Sequence, residues 1–246
     1  MSNKLIFYIV AALSFIQVLK ACNAPICFEI ASVYQSESNA YLTLNMTNQA
    51  GCQYCLDTPT YSTKSACEAA GENWVFSASS VPDPSCTSVN GLNGTYYDGY
   101  MSNHNITILG TTAITSIGSA PGYNILYYGD SFYALTFTGQ TIGPQTGVLY
   151  NIVMSDYDLP LQINPYDGGN CSFGIGSESC ITDLGGNVIE GIDYGGLYGA
   201  VYGCTSQYDG SGNPYCNYNP AATVDDGMCD YESCAGCTDP DAPNYN

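Results

Sequence analysis

Tyr41-Leu42-Thr43-Leu44-Asn45-Met46 decides the fold class. Its apolar and polar residues alternate with period two, so an extended chain turns Leu42, Leu44 and Met46 toward a core and Thr43 and Asn45 away from it. Outward from this stretch the same kind of run recurs. Further candidate strands lie at 27–34, 105–109, 124–128, 132–138, 147–154, 161–163 and 188–194, with 40–47 around the opening stretch itself. Each is rich in β-branched and aromatic residues and bounded by Gly, Asn, Asp or Pro. No amphipathic helical stretch exceeds two turns. Short strands at such spacing predict an all-β chain, an antiparallel β-sandwich over residues 25–202.

Residues 50–88 interrupt the strand pattern and hold Cys52, Cys55, Cys67 and Cys86. Within them Ser65 and Glu68 have capping-box spacing, alanines follow, and Gly71 is a natural stop, which predicts one short helix. Trp74, just beyond, is read as packing over a bridge in a disulfide-held insertion. From residue 203 the character changes again. Gly203-Cys204-Thr205 aligns with Gly236-Cys237-Thr238, and Asn217-Tyr218-Asn219 with Asn244-Tyr245-Asn246, so 203–246 reads as a Cys/Asp-rich repeat and a truncated second copy. That truncation predicts a fragment of a longer protein, with Cys237 lacking its native partner.

The first residues have the layout of a secretory signal peptide, 1–24. Lys4 gives the positive start, Leu5 to Leu19 the apolar run, and Cys22 and Ala24 the small positions before a cut. Lys20 and Pro25 fit this layout poorly; an uncleaved anchor and a lipoprotein-type box, Leu19-Lys20-Ala21-Cys22, are the other readings. No other stretch is long and apolar enough for a membrane span. Removing Cys22 with the leader leaves Cys27, Cys52, Cys55, Cys67, Cys86, Cys171, Cys180, Cys204, Cys216, Cys229, Cys234 and Cys237 as disulfide candidates. That density belongs to an oxidising, extracellular compartment. Zinc is disfavoured, because Cys52-x-x-Cys55 and Cys234-x-x-Cys237 lie far beyond ribbon spacing.

Charge narrows the partners. The chain carries 22 acidic residues, all beyond residue 24, no arginine, and Lys64 as its single lysine after the leader; the formal net charge is −19. Nucleic-acid binding draws on Lys and Arg against phosphates, so it is excluded. Phosphoryl transfer would lack every cationic clamp except a metal.

The tail, with Asn217-Tyr218-Asn219-Pro220-Ala221-Ala222-Thr223-Val224-Asp225-Asp226-Gly227-Met228-Cys229 followed by Gly236-Cys237-Thr238-Asp239-Pro240-Asp241, resembles tandem Cys/Asp-rich repeats near the C-termini of large secreted and surface proteins. That resemblance implies no particular activity. The strand Phe132-Tyr133-Ala134-Leu135-Thr136-Phe137-Thr138-Gly139, the start Gly147-Val148-Leu149, and Cys180-Ile181-Thr182-Asp183-Leu184-Gly185-Gly186-Asn187-Val188-Ile189 resemble cohesin-like and carbohydrate-binding-module-like β-sandwiches of the jelly-roll kind. The last segment looks like the Asp-x-x-Gly-Asn-x-Ile hairpin that closes such domains.

Catalytic equipment is sparse. His104, the single histidine, sits in the polar stretch Ser102-Asn103-His104-Asn105 and is read as an exposed loop residue. The visible carboxylate pairs, Asp156-x-Asp158 and Asp225-Asp226, read as turns before they read as an acid/base couple. Structural calcium is the better-supported chemistry. Asp209, Ser211 and Asn213 imitate the 1-3-5 spacing of a calcium loop, although Pro214 and Pro220 stand where its glycine and bidentate glutamate belong. Asp225, Asp226, Asp183 and Asn187 could add oxygens, while Asx turns explain the same residues without an ion. Tyrosine is abundant, 23 against one Trp; it suits sugar stacking as well as half-buried strands. Asn45, Asn93, Asn105 and Asn170 head sequons and are glycosylation candidates. The expectation is a non-enzymatic extracellular building block that associates with itself, with other surface or matrix proteins, or with glycans.

Overall fold

The computed structural model describes residues 21–56, 58, 60–79, 86, 94–118, 122–163 and 181–230. β1 (Ile26–Ser36) and β2 (Asn39–Asn48) form a hairpin. The chain then enters the insertion: β3 (Gly51–Cys55), α1 (Lys64–Ala69), β4 (Trp74–Ala78) and β5 (Thr95–Tyr97). The body resumes with β6 (His104–Leu109), β7 (Ile114–Ile117), β8 (Asn124–Tyr128), β9 (Ser131–Leu135), β10 (Gln145–Met154) and β11 (Gln162–Ile163). Two short strands, β12 (Tyr202–Gly203) and β13 (Val224–Asp225), pair in the tail.

The body strands form two four-stranded antiparallel sheets, in the orders β1-β2-β10-β7 and β11-β6-β9-β8. Both feed one hydrophobic core. β2 behaves as its alternation predicts: Ala40, Leu42, Leu44 and Met46 are buried, and the residues between them are half-buried. Ile26, Phe28 and Ile30 of β1, Tyr150, Ile152 and Met154 of β10, and Ile106, Ile108 and Phe132 of the other sheet join them. Each strand flanking β2 carries a bulge beside Leu44, between Ile30 and Ser32 on β1 and between Val148 and Tyr150 on β10. An extra residue on one strand re-aims the side chains beyond it. On β10 the bulge leaves Val148 exposed and sends Tyr150 inward, next to Leu44.

The insertion is a sheet of its own, ordered β4-β3-β5 and stapled by Cys52–Cys86 and Cys55–Cys67. It extends past residue 88, because β5 pairs with β3 as far as Tyr97. The short helix exists, but its cap differs from the capping-box expectation. Thr63 is the N-cap and its hydroxyl accepts from Ala66 N–H, while Gly71, at φ 80°, takes the left-handed conformation that ends the helix. Trp74 stands opposite Cys55, at the end of the sheet nearest the Cys55–Cys67 bridge.

Two further expectations change. Residues 188–194 are not a strand; Val188 bridges Thr182 and Asp193 bridges Cys27, the latter capping the open edge of β1. Glycines at 191 and 195, both at positive φ, break the extended run. Cys22, assigned to the leader, is disulfide-bonded to Cys27.

Candidate functional site

Three places in the fold gather chemistry: a cleft beside the insertion, the outer strand β8, and the turns that hold the expected calcium ligands. The cleft has a volume of about 490 Å³. On one side lie Lys64, Glu68, Trp74 and Phe76 of the insertion, on the other Asn23, Gln162, Asp193 and Tyr194. Its walls are fixed by cross-links between the two parts. Glu190 accepts from Lys64 N–H at 2.7 Å, and Gln53 Nε2 donates to the Glu190 carbonyl at 2.8 Å. Gly191 allows close approach: a Cβ there would stand 3.4 Å from Trp74 Nε1. That indole nitrogen is buried and finds no hydrogen-bond partner among the described residues. Lys64 Nζ lies 3.7 Å from Glu68 on the next turn of α1, both partly exposed. Three aromatic rings among amides and carboxylates make a surface that can stack a flat apolar face and hydrogen-bond its polar rim.

β8 is the outer strand of its sheet. Leu126, Tyr127 and Tyr128 are 59%, 49% and 74% exposed. An apolar run in a β-sheet is normally buried, and exposed edges are normally blunted by Lys or Pro. β8 has neither. A second exposed aromatic feature is the β1–β2 hairpin, where Tyr34 and Tyr41 stack at 5.1 Å with their planes 10° apart. The other tyrosine clusters divide: Tyr97 is buried, Tyr96, Tyr194 and Tyr198 are half-buried, and Tyr202 is exposed.

The expected calcium ligands sit in two turns of one design. Asp183 N–H donates to the Asn187 carbonyl, and its carboxylate accepts from Asn187 N–H and Nδ2. Asp209 N–H likewise donates to Asn213 O, and its carboxylate accepts from Asn213 N–H and Nδ2 at 2.8 and 2.9 Å, and from Ser211 N–H. Each turn has a positive-φ glycine just before the asparagine, Gly186 and Gly212. Each is flanked by a bridge one residue outside, Thr182–Val188 and Tyr208–Pro214. Asp-x-x-Gly-Asn is therefore one hairpin used twice, in the body and in the tail. The donors from Asn213 hold the Asp209 carboxyl below the usual carboxylate range. Ser211 and Asn213 contribute N–H donors to it, which is how an Asx turn closes without an ion. Asp225 and Asp226 accept from Gly227 and Met228 N–H in the same way. Among the described residues no three His, Cys, Asp or Glu side chains converge on a possible metal position.

His104 is fully buried on β6, not exposed in a loop. Its Nδ1 lies 3.0 Å from the Ser102 carbonyl, so Nδ1–H donates and Nε2 accepts from the Tyr150 hydroxyl at 2.6 Å. Burial lowers its pKa to about 4. The local sequence gave no sign of this, because the polar residues around His104 are themselves enclosed: Ser102 is 3% exposed and Asn105 2%. Asn48 anchors a similar buried set, donating to the carbonyls of Gly99, Ile142 and Gly143 and accepting from Tyr97 O–H. Asp156 and Asp158 form no couple. Asp156 accepts from Thr112 N–H and Oγ1, which holds its carboxyl low, while Asp158 N–H donates to Gly110 O.

Of the sequon asparagines, Asn45 is half-buried on β2 and Asn105 is buried on β6. Asn93 and Asn170 lie outside the described residues, as do Cys171, Cys180, Cys234 and Cys237. Cys204 pairs with Cys229 across the first tail repeat, and Cys216 is disulfide-bonded as well. No helix among the described residues is long and apolar enough to cross a membrane. No family model, curated protein or solved structure matches the chain.

Proposed function

We propose that the chain is a non-catalytic extracellular building block, a two-sheet sandwich of cohesin-like type followed by a Cys-rich tail, which assembles with copies of itself along β8. The exposed apolar edge carries this reading. A second copy laid beside β8 would extend the sheet by backbone hydrogen bonds, with Leu126, Tyr127 and Tyr128 supplying side-chain contact. The large excess of acidic over basic residues opposes that approach at long range and is screened by salt. Four described disulfides and a leader-like N-terminus support the extracellular setting. Sedimentation velocity tests the idea: the assembled fraction should rise with ionic strength. Leu126→Glu, which places like charges opposite one another across the new pairing, should weaken association by about tenfold or more while leaving the monomer folded. A wild-type chain monomeric at every salt concentration would sink this function.

A second reading, glycan recognition, is favoured by the cleft itself, since Trp74, Phe76 and Tyr194 stand beside Asn23, Gln162 and Asp193. Stacked aromatic rings with polar neighbours suit the mixed faces of a sugar. On this reading a glycan array gives saturable binding that Trp74→Ala reduces by about tenfold. An array without a saturable ligand removes it.

A further inference from the structure

We propose that the leader is cut between Ala21 and Cys22, three residues before the Cys22-x-Ala24 site that the sequence pattern favours. The proposal rests on the extracellular reading above, and what carries it is the way residues 22–27 are built into the body.

Cys22 is bonded to Cys27, the second residue of β1. Ala24 is 6% exposed, and Pro25 and Ile26 are buried. Gln49, at the end of the hairpin partner, holds this segment from the side. Its Nε2 donates to Cys22 O at 3.0 Å and to Ala24 O at 2.9 Å, and its N–H donates to Pro25 O at 2.9 Å. A cut after Ala24 would strip one half of a disulfide and free the Cys27 thiol. It would also remove a buried side chain and place a charged chain terminus on buried Pro25, which is costly without a partner. Ala21 is exposed, so the bond to Cys22 is open to solvent on its N-terminal side. Ala21 puts a small residue at the −1 position of the cut, with Leu19 in place of the small residue usual at −3, so the folded segment after Ala21, not the leader pattern, carries the proposal.

The chemistry is simple. Water adds across the Ala21–Cys22 peptide bond, leaving a carboxylate on Ala21 and an α-amine on Cys22. The Cys22 and Cys27 thiols give up two electrons and two protons to a thiol–disulfide oxidant of the exporting compartment. With its sulfur committed in this way, Cys22 has no thiol left for the thioether that a lipoprotein-type box would place on it. The cut also shapes the cleft, because Asn23, Ala24 and Pro25 line it and stay with the exported chain.

The test is to express residues 1–246 in a secreting host, collect the exported protein, and measure intact mass and N-terminal peptides without reduction. Supporting results are a chain starting at Cys22 and a peptide in which Cys22 and Cys27 are linked. Cys22→Ser should then leave Cys27 reactive to a thiol reagent and lower the melting temperature. Three results overturn the cut site while leaving export intact: an exported chain starting at Pro25, an exported chain with its leader attached, or a diacylglyceryl group on Cys22. A chain that stays inside the cell uncut overturns both the cut site and the extracellular reading.

Discussion

Replacing Cys52 and Cys86 together by alanine should cost the insertion about 4 kcal/mol, enough to unfold it while the two body sheets persist. The estimate follows from loop closure, in which a bridge restricts the unfolded chain more as the segment it closes lengthens. Cys52–Cys86 spans 34 residues, and Cys55–Cys67, nested inside it, spans 12. By the same relation the inner bridge contributes about 3 kcal/mol. The insertion has little else, since β4, β3 and β5 are short and α1 has six residues. Trp74 is the single tryptophan and sits on β4 against Gly191, so its fluorescence reports on the insertion and on its seat against the body. In urea, the double variant should show a Trp74 transition well before the loss of far-UV signal from the body. Coincident transitions at the wild-type midpoint would show that the bridge adds nothing.

The second large effect is on acid stability and comes from His104. In the unfolded chain its pKa is near 6.5; in the fold it is about 4, because burial disfavours the charged ring. Between these values the unfolded state holds the proton and the folded state does not. Stability from this group is therefore complete above pH 6.5 and falls as pH drops toward 4, by roughly 3 kcal/mol in all. The ring faces Tyr150, Tyr123 and the Ser102 carbonyl, and burial holds Tyr150 well above its ordinary value and Tyr123 at about 12. Neither phenol titrates in the window. Asp156 and Asp209 act at lower pH, since their depressed values place their losses below the ordinary carboxylate pKa. Urea midpoints at pH 7, 5.5 and 4 measure the slope. His104→Gln keeps an acceptor for Tyr150 and a donor for Ser102 without titrating, and it should flatten the slope between pH 6.5 and 4. A slope unchanged in that variant would assign the acid sensitivity elsewhere.

Legibility in the sequence followed the reach of local pattern. β2 was readable because its alternation is strict and both neighbouring strands bury the same face. β6, β8 and β10 were found for their apolar runs, as was β11. β3, β4 and β5 were missed: Gly51-Cys52-Gln53-Tyr54-Cys55 and Trp74-Val75-Phe76-Ser77-Ala78 carry no clear period, and disulfides hold them together as much as side-chain burial does. The 188–194 segment misled in the opposite sense, having strand-like residues but glycines that prevent an extended run. For the candidate site, the exposure of Leu126-Tyr127-Tyr128 was invisible, since an apolar run reads as buried until the sheet order shows that no described strand pairs with its outer side. The burial of His104 was hidden for a related reason, since its partners include Tyr150, which lies 46 residues away. The two Asp-x-x-Gly-Asn turns were both in view, one as a closing hairpin and one as a calcium loop. Only their hydrogen bonds show that they are the same object.

Lys64, placed in the first turn of α1 beside Glu68, has a consequence for durability outside the cell. Residues 22–246 contain no arginine and no other lysine. Within this stretch, proteases that cleave after basic residues have one bond to attack, Lys64–Ser65. That bond lies within a helix whose first turn is tied to the body through Glu190, and such enzymes need a locally extended substrate. Digestion of this stretch by such enzymes waits on the melting of one small element that the Cys55–Cys67 bridge holds.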